Sequence, residues 1–308
     1  MELYFAPLEG ITTRIYRNTH FNMFGEADLY YAPFINPGAE DKITSKLIKD
    51  VLPEENEAPI AVQILCNQPK PFLSLAEKLQ EIGYREINLN LGCPSGTVVS
   101  KNRGAGFLRR RDELDRFLDA VFSACPIPIS VKTRIGFSSA EEAEALLTIY
   151  NRYPISMLIV HPRVRENFYK GTPDMETFRM FYENSVNPLC YNGDVRTKAD
   201  YIHICNRFPN LKGVMIGRGA VQNPALFREI KNGKSLSNTE LIVFLEQLCT
   251  AYNSVLKSDT FTMHKLKEIM MSVVLNYPED KRLLKAVKKT NKLSDLMAVI
   301  HNLPPLEN

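Results

Sequence analysis

Several features that would place this chain in a large class are missing. No apolar run approaches the roughly 20 residues that span a bilayer. The amino-terminal residues lack the basic-then-apolar order of a secretory signal, so a cytoplasmic protein without membrane segments is expected. The cysteines, at 66, 93, 125, 190, 205 and 249, contain no C-x-x-C pair and no Cys/His cluster at ligand spacing. That pattern gives no support to a disulfide framework or a zinc site, and free thiols, mostly buried as small apolar groups, are expected instead. No G-x-G-x-x-G follows the first apolar run, which weighs against an open doubly wound dinucleotide fold. What remains is an ordinary globular composition of 308 residues, 44% hydrophobic and 24% charged, enough for a sizeable core.

Eight short apolar runs recur along the first part of the chain: LYFAP (3–7), DLYYAPF (28–34), PIAVQIL (59–65), EINLNLG (86–92), IPISVKT (127–133), SMLIVHP (156–162), NPLCYNG (187–193) and KGVMIG (212–217). Each is continuous rather than alternating, as strands buried on both faces of a parallel sheet are. Most are followed by helical periodicity, for example Phe72, Leu75, Ala76 and Leu79, or Leu114, Phe117, Leu118 and Val121. Eight such units in about 230 residues match a (β/α)8 TIM barrel.

After about residue 230 the pattern turns helix-only. Ser237 and Glu240 fit an S-x-x-E capping box, followed by an apolar face of Leu241, Phe244, Leu245 and Leu248. Met263, Leu266, Ile269, Met270, Val273 and Val274 mark a second helix, and shorter ones are expected at 280–290 and 292–302. The expected organisation is a barrel over residues 1–232 and a small all-α domain over 233–308, joined by a Gly/Ser-rich linker, GKSLSN (233–238).

Residues 231–308 carry 11 Lys/Arg against 8 Asp/Glu, whereas the rest of the chain holds 27 of each. Within the tail, Lys281, Lys285, Lys288 and Lys292 recur at helical spacing with no acid between them. A solvated helix face explains such a stripe, and so does contact with nucleic-acid phosphates.

In a TIM barrel, chemistry is built where the strands end. The polar residues that fall there are Glu9, Gln63, Asn88, Asn90, Cys93, Lys132, Arg134, His161, Arg163 and Arg165, then Asn192 and Asp194, then Gly217, Arg218 and Gly219. The loops after the last two strands, YNGDV and MIGRGAVQNP, are where this fold commonly holds a phosphate. Their glycines let backbone N–H groups approach an anion, and a helix starting near Asn223 and Pro224 would offer its positive end. Tight turns are the plainer explanation of any one glycine. Lys132 interrupts an apolar strand, so it either meets an anion or electron-rich ring or reaches solvent at the strand end. Gln63 suits either the imide edge of a heterocycle or a core hydrogen bond. His161 suits either a polar pocket or a satisfied buried imidazole. Cys93 differs from the other thiols by lying just past a strand, where it can enter a pocket. The loop after it, 95–106, is a candidate to close over a substrate. Spacing alone leaves open whether Cys93 is a nucleophile or a proton donor.

Taken together, FAPLEGIT (5–12), VQIL with Gln63, INLNLGCPSGTVVSKNRGAGFL (87–108), VKTRIGF (131–137), VHPRVRENFYKG (160–171), YNGDV (191–195) and GVMIGRGAVQNPALF (213–227) resemble the tRNA-dihydrouridine synthase family. The resemblance implies FMN at the barrel mouth, NADPH as its reductant, and hydride transfer to C6 of a tRNA uridine, with Cys93 as the acid that protonates C5. It also implies that Pro7, Leu8 and Glu9 frame the flavin ring, that Gln63 and Lys132 meet its polar edge, and that His161 lies beside it. Asn192, Gly193, Asp194, Gly217 and Arg218 would hold the phosphate, with Asn90, Arg163 and Arg165 touching the substrate uridine. The resemblance further implies base flipping with backbone contacts to RNA, for which the 281–292 stripe and Arg109, Arg110 and Arg111 are candidates. Two positions depart from the family pattern: Leu8, where Met is frequent, and Pro162, where Gly is. Two other functions compete: an FMN-dependent reductase or dehydrogenase of a free pyrimidine, and a flavin-containing RNA-binding protein without catalysis.

Overall fold

The computed structural model describes residues 1–37 and 44–306. All eight runs form strands, in order β1 Glu2–Phe5, β2 Leu29–Ile35, β3 Ile60–Ile64, β4 Ile87–Leu91, β5 Ile129–Gly136, β6 Leu158–Val164, β7 Leu189–Tyr191 and β8 Gly213–Ile216. Every neighbouring pair is parallel, and β8 pairs back onto β1 to close a barrel. Closure leaves no unpaired sheet edge.

Alternation along each strand sorts side chains between two environments. Outward-facing residues such as Ile87, Leu89 and Leu91 of β4 pack under the surrounding helices, among them Pro69–Glu81, whose Phe72, Leu75 and Leu79 are fully buried, and Arg111–Ala124. Inward-facing residues split by height. Tyr4, Tyr31, Ala61, Ile159, Cys190 and Met215 fill the barrel with an apolar plug. Nearer the strand ends the interior becomes polar: Gln63 lies opposite Asn88 and Asn88 opposite Ser130, while Asn90 lies opposite Lys132. The plug seals one end, so the other becomes the cavity.

The helices beyond residue 233 fold back on the barrel. Ser237 caps the helix Asn238–Leu256 in the expected box with Glu240. Phe244 on that helix packs edge-on against Tyr16 and His20 of the helix Arg14–Met23 and against Phe24 at its C-terminal cap, and the Tyr252 hydroxyl meets Thr13 Oγ1 at 2.9 Å. The next helix, Asp259–Val273, buries Met263, Leu266, Ile269, Met270 and Val273, while Val274 falls in a following 3-10 turn. Its Lys265 donates to the Gly10 carbonyl of the loop after β1 at 2.9 Å. The chain ends in helices Lys281–Lys289 and Leu293–His301.

The GKSLSN stretch is a clamped turn rather than a loose linker. Gly233 takes the left-handed conformation at φ 73°. The Arg228 guanidinium donates to the Lys234 and Ser235 carbonyls and to both Glu240 carboxylate oxygens. Those bonds to Arg228, assisted by the Ser237 cap, hold the Glu240 carboxyl down at about 2. A carboxyl so depressed stabilises the fold above the unfolded value of about 4.3, and that contribution is lost as pH falls toward 2. Glu240→Gln should therefore cost about 1.5–3 kcal/mol near neutral pH, the range for a charged hydrogen bond. Urea denaturation should find the gap between the two proteins shrinking from pH 5 to pH 2.5; a pH-independent gap would show that the charge is not what holds the turn.

Candidate active site

A cavity of about 540 Å3 opens at the C-terminal ends of the strands, within the range of small-molecule and cofactor sites. Its wall includes Pro7, Leu8 and Glu9 from the loop after β1, Gln63 of β3, Asn90 and Cys93 at the end of β4, Lys132 of β5 and His161 of β6. Asn192, Gly193, Asp194, Gly217 and Arg218 complete the far side. Ser272 reaches it from the helix Asp259–Val273.

A chain of amides crosses the barrel interior. Asn90 Nδ2 donates to Gln63 Oε1 at 2.7 Å, Gln63 Nε2 to Asn88 Oδ1 at 2.8 Å, Asn88 Nδ2 to Ser130 Oγ at 3.0 Å, and Ser130 Oγ to the Ile87 carbonyl at 3.2 Å. Gln63 is thus both core-bonded and cavity-lining. Asn90 uses its oxygen locally, accepting from the backbone N–H groups of Gly92 at 3.0 Å and Cys93 at 2.9 Å. This turn brings Cys93 off the strand end into the wall.

The Cys93 thiol is half-buried. Burial pushes its pKa up and Glu9 adds to the rise, against a hydrogen bond from the Ser95 backbone and the charges of Arg134 and Lys132; the net is a thiol above its ordinary value. Such a group is protonated at neutral pH, which suits a proton donor and not a nucleophile.

Lys132 has no hydrogen-bond or ion-pair partner among the described residues, and burial, reinforced by Arg134, lowers it to about 8. Arg134 is also buried and lowered to about 10 by burial, but its donors are used: Nε on the Gly92 carbonyl at 2.8 Å, Nη1 on those of Val164 and Phe168 at 3.1 and 2.8 Å. His161 is driven well below its usual value by burial and then by the charges of Arg134, Lys132, Arg163 and Arg218. Arg163 Nη1 lies 3.1 Å from His161 Nε2; a guanidinium can only donate, so Nε2 accepts and the neutral ring carries its hydrogen on Nδ1.

Asp194 anchors the other side. It accepts from Arg163 Nη1 and Nη2 at 3.1 and 2.6 Å and from Arg218 Nη2 at 2.6 Å. Burial would raise its carboxyl, yet the two arginines outweigh burial and hold it below the usual range. Asn192 donates to the Met215 carbonyl at 2.8 Å and ties β7 to β8. At Gly193 an added Cβ would stand 1.9 Å from the Tyr191 hydroxyl, so no side chain fits there. The backbone N–H groups of Gly193, Asp194, Arg218 and Gly219 have no acceptor among the described residues.

Several expected placements are corrected. The helix expected near Asn223 and Pro224 begins at Leu226, and a one-turn helix, Arg218–Gln222, precedes it directly after β8; Pro224 disfavours helical geometry at Asn223 and separates the two. Arg163 lies behind the wall, fully buried on Asp194 and on the carbonyls of Lys170 and Gly171. Arg165 is also absent from the lining; it donates to the Pro94 carbonyl at 3.1 Å and covers the rings of Phe137 and Phe168. The 95–106 stretch is a packed structure, not an open loop: a Cβ on Gly104 would meet the Cys93 carbonyl at 2.9 Å, and one on Gly106 the Val99 backbone at 2.8 Å. Lys281, Lys285 and Lys288 are exposed on one helix, but that helix ends at Lys289 and Lys292 caps the next one. Arg109 covers Phe137, and Arg110 pairs with Glu113, so two of the three consecutive arginines have partners in the fold.

Among the cavity residues not singled out from the sequence are Phe168 and Tyr169, 41% and 46% exposed. Tyr169 stacks on His161 at 6.0 Å, with Arg134 and Arg218 over its ring at 5.4 and 4.8 Å. Their position after β6, within the RENFYKG segment, is the signal that could have pointed to them.

The family model described as dihydrouridine synthase (Dus) matches residues 4–301. A probable tRNA-dihydrouridine synthase 2 of Bacillus subtilis is 28% identical over 255 residues, covering 78% of this chain and 74% of its own. A probable tRNA-dihydrouridine synthase of Staphylococcus aureus is 24% identical over 306 residues, covering 96% and 90%. Among solved structures, morphinone reductase in complex with tetrahydroNAD aligns with TM-score 0.54 at 12% identity over 76% of this chain and 87% of its own. The old yellow enzyme homologue from Zymomonas mobilis aligns with TM-score 0.55 at 11% identity over 76% and 89%. These two establish likeness of fold.

The raised Cys93 thiol makes a prediction. Its alkylation by iodoacetamide, followed by peptide mass spectrometry, should be slow at pH 7.5 and climb with a midpoint above the ~8.5 of an unhindered cysteine. A midpoint near or below pH 7 would mean that the cations, not burial, govern the thiol.

Proposed function

The chain belongs to the dihydrouridine synthase family, and from that premise we propose that it reduces the C5–C6 double bond of uridines in tRNA, with Cys93 as the proton donor. The observation that carries this reading is the thiol itself: half-buried, kept protonated, and set in the wall of the barrel-end cavity by the Asn90 turn.

The residues present fit FMN. Lys132 is a cavity-lining cation without a partner among the described residues, which suits the electron-rich edge of a flavin. The free backbone N–H groups at Gly193, Asp194, Arg218 and Gly219, with the Arg218 guanidinium, suit a phosphate. Space at Gly217 is limited, since a Cβ there would lie 3.3 Å from Ala6 Cβ. Pro7, Leu8 and Glu9 would frame the ring, Gln63 and Lys132 would meet its polar edge, His161 would lie beside it, and Asn192 with Asp194 would hold the phosphate loop in place. When bound and reduced by NADPH, the flavin supplies the hydride for C6 of the uracil.

The protein's own part is orientation and proton delivery. Addition of hydride at C6 leaves negative charge at C5 and its conjugated carbonyl. The Cys93 S–H then gives its proton to C5, forming the C–H bond, and the thiolate is reprotonated from solvent. A thiol above its ordinary pKa keeps the proton until that carbon is basic enough to take it. Asn90 serves this step by fixing the Cys93 backbone, with one N–H left to reach the substrate. Phe168 and Tyr169 offer flat faces on which a flipped base can stack.

Residues 1–232 make up the catalytic barrel in this reading, and 233–308 a helical tRNA-binding domain. Supporting the latter, Lys281, Lys285, Lys288 and Lys292 are exposed and unpaired among the described residues, with no acid in 281–292. A free pyrimidine as substrate leaves that stripe without a purpose. The cytoplasm, where tRNA and NADPH meet, is the compartment this reading favours; no described helix is long and apolar enough to cross a membrane.

Cys93→Ala should retain bound FMN and NADPH-driven flavin reduction while dihydrouridine formation in tRNA falls by roughly 10²–10⁴-fold, the usual size of a general-acid contribution. Nucleoside mass spectrometry of tRNA from cells lacking the protein, complemented with either form, measures this; full activity without the thiol would sink the assignment. For the tail, Gln at Lys281, Lys285 and Lys288 should weaken tRNA binding and flatten log Kd against log salt by ~0.7–0.9 for each phosphate no longer neutralised. An unaltered slope would return the stripe to an ordinary solvated face.

A further inference from the structure

The polar backbone around Cys93 has no regular sheet or helix to satisfy it, so each group must find a partner elsewhere. All five do. The N–H groups of Gly92 and Cys93 go to Asn90 Oδ1, and the Cys93 carbonyl accepts from Ala105 N at 3.0 Å. The two flanking carbonyls are taken by arginines from elsewhere in the chain: Gly92 O by Arg134 Nε of β5 at 2.8 Å and Pro94 O by Arg165 Nε, in the 3-10 turn after β6, at 3.1 Å.

These two arginines also grip the segment after β6. Arg134 donates to the Phe168 carbonyl at 2.8 Å and lies 5.4 Å from the Tyr169 ring; Arg165 lies 4.7 Å over the Phe168 ring. Phe168 has φ 50° and ψ −101°, a region that a residue with a large side chain occupies only when its surroundings impose it. The restraints are on both sides, because Arg163 holds the Lys170 and Gly171 carbonyls at 3.2 and 2.6 Å. The most exposed apolar rings at the cavity, Phe168 and Tyr169, are therefore built onto the same guanidinium groups that hold the thiol segment.

We propose that Arg134 and Arg165 are positioning residues that set Cys93 by clamping the peptide carbonyls on either side of it, and that they link it to the Phe168–Tyr169 rim where the substrate base is received. The proposal rests on the reading of Cys93 as proton donor. Arg165 is the informative half of the clamp. It is only partly buried, so replacing it does not empty the core. It reaches Cys93 through one carbonyl and is not itself part of the cavity lining. The rim gives the clamp a reason to exist: a pyrimidine seated on the rings bears on the groups that aim the acid, so acid placement depends on a base being present.

The test compares Arg165→Ala, Arg165→Lys and Phe168→Ala with the parent protein. Cys93 alkylation by iodoacetamide is followed by peptide mass spectrometry, with the fully buried Cys66 and Cys190 as internal reference for any global loosening. Oxidation of the pre-reduced holoenzyme by tRNA is measured in single turnover. In Arg165→Ala the Cys93 alkylation rate should shift severalfold relative to Cys66 and Cys190. The tRNA-dependent step should slow by roughly 10–100-fold, as expected of a misplaced catalytic group. Arg165→Lys, which keeps a donor for Pro94 O, should recover most of both, and Phe168→Ala should move Cys93 alkylation in the same direction as Arg165→Ala although it removes no hydrogen bond to residues 92–94. Parent-like alkylation and turnover in Arg165→Ala overturn the clamp, as does failure of Arg165→Lys to restore either. Failure of the underlying reading is a separate result: dihydrouridine formation would survive in Cys93→Ala, whatever the Arg165 variants do.

Discussion

Positive charge brought inside a barrel must be paired, and most of this cavity's architecture follows from how its cations are matched. Arg163 and Arg218 share Asp194. Arg134 is satisfied by three carbonyls and an aromatic face. An unpaired charge at these positions would cost several kcal/mol, so the loops that supply the partners are drawn in and held. Lys132 is the exception, a cation in the wall with no partner of its own among the described residues.

The same charges control protonation without any one of them dominating. Burial and neighbouring cations both work against a charged His161, so the ring stays neutral and its tautomer follows from the donor at Nε2. At Cys93 the two effects oppose: burial favours the thiol, Arg134 and Lys132 favour the thiolate, and burial prevails. A cysteine with this balance is suited to deliver a proton to a carbon. Exposing it further, or bringing a cation closer, would turn it toward nucleophile chemistry.

Glycine serves closeness here more than freedom. Gly104 and Gly106 let the chain after Cys93 pack against Cys93 and Val99, and Gly193 makes room for the Tyr191 hydroxyl. The segment that carries the thiol is thus braced from behind by backbone and from the sides by arginines. The helices beyond residue 233 brace the barrel from its cavity side through Lys265, and Ser272 adds to the cavity wall.

Much of this was legible in order along the chain. Eight continuous apolar runs specify buried parallel strands because period and composition act locally, and the Ser237 capping box reads out for the same reason. The residues at the strand ends were identifiable because a parallel barrel delivers every strand's C-terminus to one face, so Cys93, Gln63, Lys132, His161, Asp194 and Arg218 all reach the cavity wall. Tertiary structure decided what charge and shape alone could not. It turned Arg163 inward to Asp194, put Arg165 on Pro94 rather than in the cavity, added a one-turn helix before Pro224 and left Lys292 off the lysine helix. It also brought Phe168 and Tyr169 to the rim. Identity and spacing determine which groups arrive at the mouth of the barrel; which of them stay free there depends on partners 24 to 71 residues away in the chain, and only the closed fold brings those together.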